Sequence, residues 1–188
     1  MEKIQAEQIA MSQLDAGERL LWSGSPDPGT MAVGALPVSL FGIAFGGFAC
    51  FWVWGAWHQV ARGPNASGPW LLFPLFGLPF VLVGLGLLTT PFWVWLAAQK
   101  TVYAVTERRA LVISGFGVRG VSSYTHAEIG DLARVEKADG SGTVWFATRP
   151  MATTNGGMRN LRVGFQGIPD VRQVEQLIRN NLQEQRAA

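Results

Sequence analysis

Between Pro28 and Gln99 the chain carries one formally charged residue, Arg62. Two apolar runs, Met31–Trp57 and Trp70–Ala98, fill most of that stretch. Each exceeds the ~20 residues an α-helix needs to cross the hydrocarbon core of a bilayer. Backbone in lipid must satisfy its own hydrogen bonds, which selects helices. The break between the runs, "QVARGPNASGP", holds Gly63, Pro64, Gly68 and Pro69, which is turn chemistry. The expectation is a two-helix transmembrane hairpin over residues 31–99, with spans at about 31–58 and 70–98. A buried hairpin of a soluble protein is the alternative, but both runs lack the polar face such helices show. Composition agrees: 48% of residues are hydrophobic and 15% charged, against roughly 25% charged in soluble domains.

The tryptophans sort to the ends of the runs. Trp52, Trp54 and Trp57 close the first and Trp70 opens the second, which assigns them to one membrane interface. Trp22, Trp93 and Trp95 fall at the other ends, and His58 reads as a further anchoring aromatic. The connecting loop has only Arg62, whereas the side bearing both termini has Arg19, Lys100, Arg108 and Arg109. The positive-inside rule then predicts a multi-pass protein with both termini cytoplasmic. The polar residues 1–30 ahead of the first span argue against a cleaved signal peptide. They read as a cytoplasmic segment, either a surface helix with Ile4, Ile9 and Leu14 on one side or a segment ordered only on binding. Pro74, Pro79 and Pro91 are expected to bend the second span or mark its ends. Gly42 and Gly46 make a GxxxG, a close-packing face within the hairpin or toward another protein. Asn65-Ala66-Ser67 matches a glycosylation sequon, a match short enough to arise by chance.

After Gln99 the pattern changes to short alternating runs. "TVYAVT" and "RALVISGF" read as strands joined by a turn at Glu107-Arg108. "VRGVSSYTHAEI" is a third strand, "LARVEKA" and "GTVWFAT" flank the turn "DGSG", and "LRVGFQGI" follows a polar loop. A helix is expected over about 169–185, opened by Pro169, with Val171, Val174, Ile178 and Leu182 on one face. Six or seven strands and one amphipathic helix predict a small curved sheet with one open end plugged by the helix. From Lys100 onward there are 12 Lys/Arg against 8 Asp/Glu. That excess suits an anionic lipid surface or an acidic partner and is too weak to argue for nucleic acid.

Nothing in the sequence reads as catalytic. His58 and His126 lie on opposite sides of a span in this arrangement, and His126 and Glu128 have no third ligand nearby in sequence. Ser122, Ser123 and Thr125 lack a base, and no Gly-x-Ser-x-Gly, phosphate loop or HExxH occurs. Cys50 is the single cysteine, so no disulfide or thiolate metal site can form within the chain. No acid or lysine lies within the apolar runs, which argues against a transport pathway. No cofactor or metal is expected.

The stretches "GERLLWSGSPDPG", "VYAVTERRALVI", "GTVWF" and "FQGIPDVRQVEQLI" resemble the bacterial membrane-anchored pleckstrin-homology-like (bPH) family. The resemblance covers Gly17–Pro28 and Lys100 to about Leu182, and its most specific element is Tyr103-x-Val105-Thr106-x-Arg108-Arg109. It implies about seven bent antiparallel strands over residues 100–188, capped by the C-terminal helix and anchored in the bacterial inner membrane. It also implies a scaffold role, since some relatives assist assembly of membrane complexes. In eukaryotic relatives the first strand turn carries basic residues that grip lipid phosphates, which singles out Lys100, Arg108 and Arg109 as candidate lipid- or partner-binding residues. Arginine's planar fork suits phosphate, but Glu107 beside the pair opposes that field. Three roles stand open for these arginines: local pairing with acidic residues or general phospholipid contact, head-group recognition, and contact with a protein. The partners expected are membrane lipids together with another membrane protein or a second copy of the chain.

Overall fold

The computed structural model describes residues 3–63, 69–115, 120–153 and 157–187. The sequon at Asn65 and the glycine-proline turn over 64–68 lie outside the described residues. The chain divides into two compact units, Met1–Pro28 with Leu96–Ala188, and Gly29–Trp95.

Among the described residues the first unit holds seven strands. β1 (Leu20–Gly24), β2 (Thr101–Thr106), β3 (Arg109–Ser114) and β4 (Gly120–Thr125) form a four-stranded antiparallel sheet in that order. β5 (Ala133–Glu136), β6 (Gly142–Ala152) and β7 (Met158–Ile168) form a three-stranded antiparallel sheet. α6 (Val171–Ala187) follows, two residues later than the Pro169 start expected from sequence. Asp170 precedes it at φ 50°, and its carbonyl accepts the amides of Gln173 and Val174, so the first turn is wound from there.

The seven strands among the described residues are not all where they were expected. Six lie after Lys100, and the seventh, β1, comes from the segment ahead of the apolar runs. Its partner is β2, with Trp22 opposite Val105 and Gly24 opposite Tyr103. A second peptide link ties the β1 end to β7, where Asp27 N–H donates to Gly167 O at 2.7 Å.

The core lies between the two sheets and α6. Val171, Val174, Ile178 and Leu182 are buried there, on the face their spacing predicts. Phe165 sits at the centre of an aromatic group: Tyr103 at 4.8 Å between ring centroids, Phe146 at 4.9 Å and Trp22 at 5.7 Å. Offset and tilted ring pairs at such distances add about 0.5–1.5 kcal/mol each beyond area burial. The opposite face of β2 and β3 is covered as well. α1 (Lys3–Met11) places Ala6 against Val102 and Ile113, and Ala10 against Ala104 and Leu111. Of the residues Ile4, Ile9 and Leu14, Ile9 packs beside Ala6, Ile4 is 66% exposed and Leu14 lies beyond the end of the helix. Alanines face the sheet because only small side chains let a helix backbone approach that closely.

In the second unit α2 (Pro28–Gly34) leads into α3 (Leu36–Arg62), which is apolar up to its last turns, where His58, Gln59 and Arg62 lie. At about 1.5 Å per residue its 27 residues span about 40 Å, more than a hydrocarbon core. It is one helix long and apolar enough to cross a membrane. The second apolar run is not one straight helix. It forms a 3-10 helix (Pro69–Gly77), α4 (Leu78–Leu88) and α5 (Thr90–Ala98), with Leu72–Leu88 and Thr90–Ala98 bent by 44°. Only taken together across that bend do these pieces pass as a span. Proline explains the breaks: Pro74 lies inside the 3-10 helix, Pro79 in the first turn of α4 and Pro91 in the first turn of α5.

The break at Pro91 frees carbonyls inside an apolar unit. Pro91 has no N–H for Leu87 O, and Phe92 N–H turns to Thr89 O. Ser39 of α3, itself buried, supplies the missing donor, with its Oγ 2.8 Å from Leu88 O and 3.4 Å from Leu87 O. α3 and α4 approach through glycine. A Cβ on Gly84 would lie 2.5 Å from Gly46 Cα, and one on Gly42 would lie 2.6 Å from Leu88 N.

Candidate functional site

The densest polar cluster is assembled from five segments of the first unit. Thr106 ends β2 and Arg109 begins β3, so the two-residue turn between them orients both side chains. Thr106 Oγ1 accepts the amides of Arg108 at 3.2 Å and Arg109 at 3.0 Å, and donates to Glu18 Oε1 at 2.6 Å. Arg109 meets Glu18 with a two-point fork, Nε to Oε1 at 3.0 Å and Nη2 to Oε2 at 2.7 Å. Nη2 also lies 2.8 Å from Asp15 Oδ2. The Asp15 amide donates to Glu18 Oε2 at 2.9 Å, which fixes the carboxylate from the other side. Behind the turn, Asn181 of α6 donates to Thr106 O at 2.8 Å and lies 3.2 Å from His126 Nε2.

Electrostatics follow from this geometry. Burial alone would push the Glu18 carboxyl up. The hydrogen bonds from Arg109, Thr106 and the Asp15 amide, with the Arg109 charge, outweigh burial and hold it at about 2. The same bond to Glu18 raises Arg109 above its ordinary value. Burial lowers His126, which disfavours its charged form, and its Nε2 lies within hydrogen-bond distance of Asn181 Nδ2.

The expected site residues therefore separate. Arg109 is committed to Glu18 and Asp15, the local acidic pairing left open among its roles. Arg108 is exposed, and among the described residues its side chain makes no ion pair. Lys100 is exposed next to β2. The three are not brought together into one phosphate cradle. Glu18 and Asp15 were missed from sequence, because their partner lies far along the chain.

The tryptophans separate too. Trp22, expected as a membrane-interface anchor, packs instead on Phe165 in the core of the first unit. A Cβ on Gly24 would lie 2.5 Å from its ring, so glycine leaves room for the indole over the strand. Trp52 turns toward the 3-10 helix, 5.4 Å from Phe73 and 6.3 Å from Phe76. Trp54, Trp57, Trp93 and Trp95 are exposed, and Trp54 stands edge-on to His58 at 4.6 Å. The side chain of Trp70 is outside the described residues. Gly42 and Gly46 both face α4, which assigns the GxxxG to contact within the unit.

Glu128 accepts from the Thr125 amide and hydroxyl, so "HAE" forms the turn after β4 rather than the end of the strand. Among the described residues no group of three His, Cys, Asp or Glu could hold a metal ion. The chain matches no protein-family model, no curated protein and no solved structure.

Proposed function

We propose that this chain is a non-catalytic, membrane-anchored interaction module that docks on, or assists assembly of, a membrane protein complex. Its β-rich unit is read as pleckstrin-homology-like, of the bPH kind, in a bacterial inner membrane with both termini cytoplasmic. The four-stranded and three-stranded sheets with a C-terminal helix support that reading of the fold.

One observation carries the anchor. β1 and β2 are hydrogen-bonded neighbours, and the whole apolar unit is the connection between them. Three residues separate β1 from α2, and two separate α5 from β2. A chain that leaves and re-enters one sheet through such short links must return to the side it left. If α3 crosses the bilayer, the 3-10 helix, α4 and α5 together must cross back, with proline bends absorbed by Ser39. This favours a two-span anchor over one span. Such tethering holds the β-rich unit at high effective concentration beside other membrane proteins.

The test is purification of the tagged full chain from native membranes in mild detergent, at low and high salt. A stoichiometric membrane-protein partner that survives high salt is expected, because contacts through apolar helices and packed sheets are insensitive to screening. Recovery of the chain alone, or with salt-labile anionic lipid alone, contradicts the docking role and leaves surface binding to anionic lipid as the reading.

A further inference from the structure

α6 is held to the sheets differently along its length. In its first half Arg172 pairs with Glu136 at 3.2 Å and Glu175 with Arg134 at 2.7 Å, both partners on β5. Arg179 pairs back to Glu175 within the helix. Beyond Arg179 no ion pair reaches α6 among the described residues. The polar side-chain hold there is Asn181, whose Nδ2 lies 2.8 Å from Thr106 O and 3.2 Å from His126 Nε2. Asn181 and Thr106 are both buried, and His126 is partly buried.

Hydrogen-bond chemistry assigns each proton in this triad. A carbonyl only accepts, so the Asn181 atom facing Thr106 O is the amide nitrogen. That nitrogen carries two hydrogens, and the second is left for His126 Nε2. Nε2 completes the pair only as an acceptor, which is the neutral ring with its proton on Nδ1. A proton on Nε2 sets N–H against N–H. Turning the amide over would satisfy the charged ring but would set Oδ1 against Thr106 O. Neither orientation then serves both neighbours, and a buried polar group left unpaired is costly.

We propose that His126 and Asn181 form a proton-operated latch that releases the second half of α6 from the β2–β3 turn when the imidazole is charged. The first half stays pinned to β5 by pairs that do not involve histidine. Asn181 also lines a groove of about 410 Å³ with Leu21, Leu177 and Glu184, so release changes that surface between β1 and α6. The charged side chains of the surrounding elements are mostly engaged elsewhere. Glu128 accepts from Thr125, Arg109 is bound by Glu18 and Asp15, Glu107 pairs with Arg19, and Arg149 lies over the Tyr124 ring. Arg108 and Glu184 make no ion pair among the described residues. Burial is the one cause that lowers His126 from its ordinary 6.5, with no contribution from a neighbouring charge. A histidine lowered in the latched state holds the latch above 6.5 and weakens it as pH falls toward the latched value. That window lies above the one in which Glu18 titrates.

The experiment measures backbone amide exchange in the detergent-solubilised full chain between about pH 7.5 and 5, corrected for the intrinsic rate. His58→Gln leaves His126 as the sole imidazole, so its proton resonance reports the titration in the same samples. Protection of residues 179–185 is expected to fall by up to about tenfold per pH unit below 6.5, tracking the His126 resonance. Residues 171–177 and the amides of β2 and β3 should hold their protection. His126→Gln, which offers an oxygen acceptor and does not titrate, should abolish the pH dependence. Asn181→Ala should leave residues 179–185 weakly protected at every pH. An unshifted His126 resonance down to pH 5, or unchanged protection while it shifts, overturns the proposal. So does a pH-dependent loss that persists in either variant. Loss spread equally over α6, β2 and β3 overturns it as well, since the proton would then act on global unfolding.

Discussion

Glu18 and Arg109, 91 residues apart in sequence, close a two-point ion pair with Nη2 to Oε2 at 2.7 Å. The Glu18 side chain is fully buried, and that of Arg109 is 20% exposed. The pair clamps the segment between α1 and β1 to the turn joining β2 and β3. Removing one partner leaves a buried charge uncompensated, which typically costs about 3–5 kcal/mol. Arg109→Ala, which strands the buried Glu18, should therefore lower the thermal midpoint of the detergent-solubilised chain strongly, and Glu18→Ala, which leaves Arg109 with Asp15, should lower it less. Glu18→Arg combined with Arg109→Glu should recover part of the loss. Equal stability of Arg109→Ala and the parent would show that the pair contributes nothing.

Acid should act through the same carboxylate. Glu18 is held at about 2 in the folded chain against an ordinary value of 4.5. A group lowered on folding stabilises the protein above its unfolded value and loses that contribution as pH falls through the folded one. The contribution is at most about 3 kcal/mol, reduced by screening through the exposed Asp15. Denaturation at a series of pH values should show stability flat in this term above about 4.5 and declining toward about 2. Glu18→Gln should flatten that slope; an unchanged slope would assign acid sensitivity to other carboxylates.

Ser39 carries a separate prediction in the apolar unit. Its hydroxyl lies 2.8 Å from Leu88 O, a carbonyl the proline break frees. Ser39→Ala strands that carbonyl and should cost about 1–3 kcal/mol. Ser39→Thr, which keeps the hydroxyl, should be milder. Unfolding in detergent compares the two directly.

The glycines of α3 and α4 should differ sharply from one another. A Cβ on Gly84 would meet the backbone of Gly46, while one on Gly47 meets nothing within 4 Å. Gly84→Ala should destabilise by about 1–3 kcal/mol through overpacking. Gly47→Ala should be neutral or slightly stabilising, since alanine favours helix. Equal effects at both positions would contradict the close α3–α4 approach.

What local pattern dictates, the sequence declares. The spacing of Val171, Val174, Ile178 and Leu182 predicts the buried face of α6, and Glu107-Arg108 falls at the turn between β2 and β3. Long-range closure is different. Leu20–Gly24 is short and carries no strict alternation, so its place beside β2 depends on pairing across the entire apolar unit. Trp22 reads as an interface anchor because only its position before the apolar run is visible. Its contact with Phe165 requires the closed sheet. Arg109 reads as a ligand-binding candidate for the same reason: basic residues at a turn look free until Glu18 is brought beside them. The proline breaks were visible as prolines, but the donation from Ser39 depends on how α3 meets α4.

The proposed anchor is the apolar unit inserted between β1 and β2, crossing the membrane an even number of times. Alkaline extraction of native membranes, followed by protease digestion of sealed cytoplasmic-side-in and cytoplasmic-side-out vesicles carrying tags at each terminus, tests it directly. The account predicts that the chain stays with the membrane and that both tags are cut only when the cytoplasmic face is outward. Extraction by carbonate, or tags cut from opposite faces, would contradict it.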